Sequence, residues 1–407
     1  MIAARLAAIA FGLSTAVALA AEAPLARQDA LADFDAVWQA IDREYAYMEN
    51  AHGAWKRARE AWRPRAAKAA SRDELAAAID GLLATLHDDA VFVVDRWAGA
   101  PRRVPADADI WARWRDGAAV IEAVRIFGDA DVAGLKPGDT IVAVDGTLVE
   151  RAVADRLRGT DAGPGARDWA LRRILTGPRS GEMRVRLAST DKRRVAVVER
   201  RTGTPAPAPA VLARRVGDAR DAGYLRIKAA LDDPRVVPEF DAAMDQLAGT
   251  RGLILDLREV NGNGAARAAT LAILGRFIAT DAAWQVRERP GRARTTDRVA
   301  PRGTPYTAPL IVLVDRWTAG EGEALAAGLA AVAKARLVGT AMAGMHGESR
   351  GLKAPRTGLS VRFPAERALL PDGTPRERLA PSVAVDLSQP QVGAGDPILY
   401  QGLRLLE

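Results

Sequence analysis

Residues 252–264 read Gly-Leu-Ile-Leu-Asp-Leu-Arg-Glu-Val-Asn-Gly-Asn-Gly. The apolar run Gly252–Leu257 has the length and composition of a buried β-strand. The asparagines and glycines of Asn261–Gly264 predict a loop, and the alanine-rich stretch after it predicts a helix over 265–277. This stretch therefore predicts one strand–loop–helix unit of an α/β fold.

The same order recurs further along the chain. Residues 310–314 read Leu-Ile-Val-Leu-Val, residues 318–322 form a small-residue loop, and an apolar helix is predicted over 323–335. Strands that alternate with helices predict an α/β core with helices on the faces of the sheet. Ligands in such sheets bind at the carboxyl ends of the strands, where these loops lie.

The composition sets limits on the rest. The chain has 407 residues, of which 49% are hydrophobic, and a formal net charge of +7. This length predicts two or three domains and excludes a mainly disordered chain. No cysteine is present, so disulfides, thiolate nucleophiles and zinc–thiolate sites are excluded. No basic run resembles a nucleic-acid-binding tail; the densest, at 287–302, is predicted to be a solvated loop, with an anionic partner as the alternative.

Residues 1–20 predict a signal peptide. Arg5 supplies a positive charge, 7–19 is apolar, and Ala18-Leu-Ala20 is a small-x-small cleavage site. We therefore expect an exported protein of the periplasm or cell envelope, with no membrane span after cleavage. The alternative is an uncleaved N-terminal anchor.

A helical N-terminal domain is predicted over 27–100. Phe34, Val37, Trp38 and Ile41 follow helical spacing, and Ser71 with Glu74 forms a capping box at the start of a second helix.

Residues 101–200 resemble a PDZ domain, on the strength of Ala133-Gly-Leu-Lys-Pro-Gly-Asp139, Ile141 and Val144-Asp-Gly146. The resemblance implies that an extended peptide adds to an edge strand. The predicted template is Val120–Val124, preceded by a loop. The binding residues on this hypothesis are Gly117, Ala118, Ala119, Val120 and Ile121. The alternative is a β-unit with a purely structural role. A Pro/Ala-rich linker at 201–212 follows.

The domain order and the core motifs resemble the carboxyl-terminal processing peptidases, a serine peptidase family that includes tail-specific and tricorn-type enzymes. The resemblance rests on Ile254-Leu-Asp-Leu-Arg258, on Val314-Asp-Arg-Trp-Thr318 and on Leu370-Pro-Asp-Gly-Thr-Pro375. It implies a ClpP/crotonase-like α/β peptidase core over 213–400, in a multi-domain α+β chain, with Gly262 and Gly264 in the binding cleft. The G-x-G spacing of those glycines lacks the third glycine of a nucleotide-binding loop.

The catalytic positions that the resemblance implies carry the wrong residues. Gly320 stands where the family has its serine, and Met345 where one branch has its lysine. Ala90 stands where the tricorn-like branch has its histidine, and Glu377 matches a supporting acidic residue of that branch. The predicted function is therefore a degenerate peptidase that binds peptide or protein segments, with C-termini as one option.

Alternatives remain at this stage. His346 and Ser349 could form a relocated serine site in an active endopeptidase, although a solvent-facing loop histidine is the simpler interpretation. Glu321 and Glu323 are expected to stabilise a helix N-terminus, with acid–base chemistry as the alternative. A carbohydrate or lipid-precursor binder has no positive sequence signal. No cofactor, metal or nucleic acid is predicted.

Overall fold

The structure is a computed structural model that describes residues 24–97, 99–160, 163, 165–189, 194–200, 208–262, 266–388 and 395–407. The predicted signal peptide, most of the predicted linker and Gly264 lie outside these residues. Within the described ranges, no helix is long and apolar enough to cross a membrane.

The N-terminal unit is helical. Its core is formed by the apolar stripe of the first helix, in which Phe34, Val37 and Ile41 are fully buried. Ser71 accepts a hydrogen bond from the Glu74 N–H, as a helix N-cap does. The elements are α1 (Arg27–Glu44), α2 (His52–Ala66), α3 (Arg72–Leu83) and a short strand, β1 (Phe92–Val93).

The second unit is a β-sheet with flanking helices. Its strands are β2 (Ile110–Arg115), β3 (Ala118–Val124), β4 (Thr140–Val144), β5 (Thr147–Leu148), β6 (Gly181–Leu187) and β7 (Val195–Arg200). Its helices are α4 (Asp129–Val132), α5 (Val149–Arg156) and α6 (Ala166–Leu175). The sheet order is β2-β3-β4-β6-β7, with β5 paired to β4.

This order corrects the predicted peptide template. The strand that contains Val120–Val124 is β3, which pairs with β2 along its whole length and with β4 at Ala119 and Val120. The predicted loop before it is a two-residue hairpin turn at Asp116 and Gly117, both with positive φ. The five residues Gly117–Ile121 therefore lie in a turn and an interior strand, and the outermost strands of the described sheet are β2 and β7.

The third unit is the α/β core. Its strands are β8 (Val211–Val216), β9 (Ala222–Ile227), β10 (Leu253–Asp256), β11 (Ala282–Glu288), β12 (Thr295–Val299), β13 (Leu310–Val314), β14 (Arg336–Gly339), β15 (Glu348–Lys353), β16 (Ser360–Leu369) and β17 (Val383–Ala384). Its helices are α7 (Val236–Gln246), α8 (Arg267–Leu274), α9 (Glu321–Ala333) and α10 (Pro397–Arg404).

The central sheet has the order β17-β14-β13-β10-β9-β8. All neighbouring pairs are parallel except β8 with β9. Buried strands followed by helices confirm the predicted α/β fold class. The helix α9 begins at Glu321, two residues before its predicted start, and β8 begins at Val211, within the predicted linker.

A second core sheet joins the N-terminal unit to the core. Its order is β1-β16-β11-β12, with β15 also paired to β16. Phe92 and Val93 pair antiparallel with Arg362 and Val361. Because β1 follows shortly after residues 86–90, this pairing brings that segment close to Gly262 and Gly320.

Candidate functional site

The site forms where the neighbouring strands β10 and β13 end. Since these strands are parallel and adjacent, the loops that follow them emerge side by side. The Ala319 N–H donates to the Val260 carbonyl at 2.9 Å, and the Thr318 hydroxyl donates to the Leu257 carbonyl at 2.9 Å. These bonds fix the loop before α9 against the loop that contains Gly262.

Gly320 is the N-cap of α9 and has a backbone that favours glycine. Its φ is 55° and its ψ is −109°, a combination that residues with a side chain adopt only with strain. A Cβ atom at this position would lie 2.5 Å from the Gly262 carbonyl oxygen. The position that carries a nucleophile in the resembled family therefore has neither a hydroxyl nor space for one in this conformation.

Glu323 ties the loop 340–347 to the start of α9. Its carboxylate accepts hydrogen bonds from the backbone N–H groups of Gly320, Gly344 and Met345, at 2.9, 2.8 and 3.1 Å. The side chain is almost completely buried, and burial raises its pKa to about 7, against the opposing charge of Arg376. Glu323 is therefore a structural acceptor for this loop, and Met345 is held there through its backbone.

Ala90 lies next to a buried carboxylate that the sequence did not single out. The Asp88 side chain accepts from the Ala90 N–H at 2.8 Å and from the Tyr45 hydroxyl at 2.8 Å. It also lies 3.0 Å from Nδ1 of His346, which comes from the core. Burial raises the pKa of Asp88, but the charge and hydrogen bond of His346 outweigh it and the pKa is lowered overall.

The His346 side chain is therefore paired with a carboxylate, which corrects its interpretation as a simple solvent-facing loop residue. Its side chain is 39% exposed and pairs with Asp88. Burial lowers its pKa, but Asp88 reverses this and raises the pKa to about 9. At neutral pH the ring is mainly an imidazolium, in which both nitrogens are donors. In that state it cannot accept a proton from a nucleophile.

Glu377 lies near His346 with the Tyr47 hydroxyl as its hydrogen-bond donor, and its charge also raises the pKa of His346. Its Oε1 accepts from the Tyr47 hydroxyl at 3.2 Å, while its Oε2 is buried without a hydrogen-bond partner. The Tyr47 ring stacks on the His346 ring with 4.3 Å between centroids.

One cavity brings together most of the positions singled out in the core. It has a volume of about 140 Å³ and is lined by Ala90, Gly262, Gly320, Met345, His346 and Ser349, among others. Ser349 carries the one hydroxyl among the described lining residues, and no hydrogen bond joins it to His346 in the described part of the chain. Gly117–Ile121 do not line this cavity, and Gly264 lies outside the described residues.

A second cavity of about 300 Å³ adjoins the first and shares Asp89, Met345 and His346 with it. This cavity is also lined by Trp111 and Arg113 of β2, an outermost strand of the second unit's sheet. Asp168 and Arg172 of α6 line it as well. Of the groups of His, Cys, Asp and Glu that the structure describes, none could hold a metal ion.

Known proteins show the same fold. Residues 221–385 match the model of peptidase family S41. The chain carries a peptidase family S41 domain. The solved structure of the photosystem II D1 C-terminal processing protease is 20% identical, with a TM-score of 0.56, over 88% of this chain and 93% of that one. Mature CPAF is 14% identical, with a TM-score of 0.57, over 88% and 93%. No curated protein matches the chain.

Three residues of this site were not identified from the sequence. Asp88, Tyr45 and Tyr47 were not singled out, although Asp88 stands two residues before Ala90. The interior position of β3 and the pairing of Asp88 with His346, 258 residues away, had no local signal.

Proposed function

We propose that this protein is a catalytically degenerate peptidase-fold protein that binds extended peptides in the cell envelope. The observation that carries the proposal is Gly320. Nucleophilic catalysis requires a nucleophile and a base within hydrogen-bond reach. Gly320, at the N-terminus of α9, has no hydroxyl, and the Gly262 carbonyl oxygen occupies the space that a side chain there would need.

An active serine endopeptidase is the second candidate. It is favoured by the Asp88–His346 pair, which resembles the base and orienting carboxylate of a catalytic triad, and by Ser349 in the same cavity. Two observations count against it: Ser349 makes no hydrogen bond to His346, and the raised pKa of His346 leaves the ring protonated at neutral pH.

The test of catalysis uses the unmodified protein. We expect no labelling by a fluorophosphonate serine probe and no hydrolysis of casein above a buffer control between pH 6 and 10, a range of about four units around the His346 pKa. Proteolysis that disappears in both Ser349→Ala and His346→Ala would establish the second candidate instead.

We place the proposed peptide-binding site at β2, an outermost strand of the second unit's sheet. The Trp114 N–H of β2 donates to Asp168 of α6 at 2.8 Å, so this edge donor is covered by a side chain. A peptide that adds to β2 would take over such donors and would lie beside the cavity of about 300 Å³ that reaches His346.

Asp168→Ala tests this location. Freeing the Trp114 N–H is expected to raise the affinity for an extended peptide several-fold, about 1 kcal/mol. Glu182→Ala, on the exposed surface of β6, is the matched control. Equal peptide affinity in Asp168→Ala and the control would exclude β2 as the template.

Export is part of the proposal. The mature protein in the envelope fraction should begin at or near Ala21, as measured by mass spectrometry. An intact Met1 in membrane pellets would contradict it.

A further inference from the structure

One cavity formed by the described residues lies outside the site around His346. It has a volume of about 470 Å³, within the range of small-molecule sites. Helices α2 and α3 of the N-terminal unit form one side, and α5, the segment 158–160 and Trp169 of α6 form the other. It shares no lining residue with the two cavities around His346.

The lining of this cavity carries more positive than negative charge. Four arginines line it, Arg57, Arg65, Arg156 and Arg158, together with one carboxylate, Asp80, and Arg158 also pairs with Asp155. Among the described residues, Arg65 and Arg156 have no acidic partner within 4 Å; each guanidinium lies over a tryptophan ring, at 4.2 Å from Trp62 and 5.6 Å from Trp169. Guanidinium groups without a partner keep their N–H donors for a carboxylate or phosphate.

Arg156 is buried close to another arginine. Burial lowers its pKa, and the nearby charge of Arg173 lowers it further, although Asp80 and Asp89 oppose this. A bound anion would relieve both effects.

The aromatic walls are held in place by packing. The Trp62 ring packs directly against α3 at Gly81, because a Cβ atom at Gly81 would lie only 2.1 Å from the ring. Trp169 is 2% exposed, and its indole N–H is buried without a hydrogen-bond partner. Buried donors of this kind are rare and call for a partner.

We propose that this cavity binds a small anionic ring compound. Its carboxylate or phosphate accepts hydrogen bonds from Arg65 and Arg156, and its ring fills the space between the N-terminal and second units. The site is independent of the proposed peptide-binding function, because its lining residues belong to the contact between the N-terminal and second units.

Isothermal titration calorimetry on the full protein tests the ligand class. The probes are 2-naphthoate, 2-naphthyl phosphate and the neutral 2-naphthamide. We expect at least one anion to bind about tenfold or more tightly than the amide, with an affinity that falls as salt rises. The comparison of naphthoate with naphthyl phosphate identifies the preferred anion. Equal affinity for the amide, or no binding of either anion up to about millimolar concentration, overturns the proposal.

A surface substitution tests the location without removing a structural group. Ala77 of α3 is exposed and lines the cavity, and glutamate is compatible with a helix. Ala77→Glu is expected to weaken anion binding about tenfold by adding a like charge, while Ala77→Gln keeps the affinity. Arg156→Gln should weaken it as well, and Arg184→Gln, on exposed β6, should not. Unchanged affinity in both Ala77→Glu and Arg156→Gln would exclude this cavity.

Discussion

Gly320 holds a conformation that a larger residue would adopt only with strain. Its φ is positive, and a Cβ atom here would lie 2.5 Å from the Gly262 carbonyl oxygen; both features disfavour a side chain at this position. A serine introduced at this position would therefore carry its hydroxyl on a displaced backbone. Adding Ala90→His would supply a base but would leave this obstacle in place.

The first prediction concerns Gly320→Ser. We expect the free energy of unfolding to fall by about 1–3 kcal/mol from backbone strain, with no gain of proteolysis. Urea unfolding and a casein assay measure the two effects. The control is Gly351→Ser, since Gly351 has an ordinary φ and open space around its Cβ position. An equal loss of stability in both variants would show that φ and Gly262 are not the cause.

The second prediction concerns the pH dependence that His346 introduces. Its folded-state pKa of about 9 lies above the ordinary 6.5, so its protonation stabilises the folded state fully below pH 6.5. That stabilisation is lost as the pH rises through 9. Because the side chain is 39% exposed, we expect a loss of about 1–2 kcal/mol rather than the full value of the shift.

Chemical unfolding at several pH values between 6 and 10, about four units, measures this loss. His346→Gln should reduce the slope, and Asp88→Asn should do the same because it removes the partner. A slope that persists in both variants would assign the dependence to other groups.

At the scale of elements, Glu323 joins α9 to the loop 340–347. Three backbone N–H groups converge on a carboxylate that burial penalises when charged. This loop forms one wall of both cavities around His346. The hydrogen bonds to Glu323 therefore fix a wall that lies beside the peptide-binding site that we propose at β2.

The third prediction concerns Glu323→Gln. The folded-state pKa of about 7 exceeds the ordinary 4.5, so protonation of Glu323 stabilises the fold below pH 4.5, and this contribution is lost as the pH rises through 7. We expect about 2–3 kcal/mol of this pH dependence to disappear in Glu323→Gln, which is neutral throughout.

Urea unfolding between pH 4.5 and 7.5, about three units, checks this. Glu377→Gln, which does not bond the loop backbone, is the matched control. The same pH dependence in Glu323→Gln as in the unmodified protein would contradict the role assigned to Glu323.

At the scale of the whole molecule, side chains of the core hold the second unit in place. Arg316, two residues after β13, pairs with Glu122 of β3 at 2.7 Å, and the Trp317 indole N–H donates to the Ala108 carbonyl at 2.7 Å. The Glu122 side chain is only 9% exposed. These contacts set the position of the β2 edge relative to His346.

The fourth prediction concerns Arg316→Ala. The remaining partners of Glu122 are then Arg113, which is more distant, and Arg115, which is more exposed. We expect the free energy of unfolding to fall by about 1–3 kcal/mol, because the buried Glu122 carboxylate loses its buried partner. Hydrogen exchange should accelerate at the contact between the second unit and the core, while the strands of the central sheet keep their protection. Arg184→Ala is the exposed control; equal exchange in both variants would show that Arg316 does not hold the contact.

The sequence by itself predicted the α/β core, part of which matches peptidase family S41, and it shows which side chains stand at Gly320, Met345 and Ala90. Buried strands, glycine loops and helices are local patterns, because the period of apolar residues and the need of tight turns for glycine act over a few residues. Whether Gly320 or Met345 can donate or accept a proton is likewise a property of the residue alone.

The tertiary structure decided which strand is an edge and what His346 binds. The pattern of Val120–Val124 is the same for an interior strand and for an edge strand, and the pairing with β2 and β4 depends on the whole sheet. His346 meets Asp88 only because β1 pairs with β16, and the proximity of that carboxylate sets its charge. Strand neighbours and pKa values depend on groups far apart in the chain, so local patterns cannot determine them.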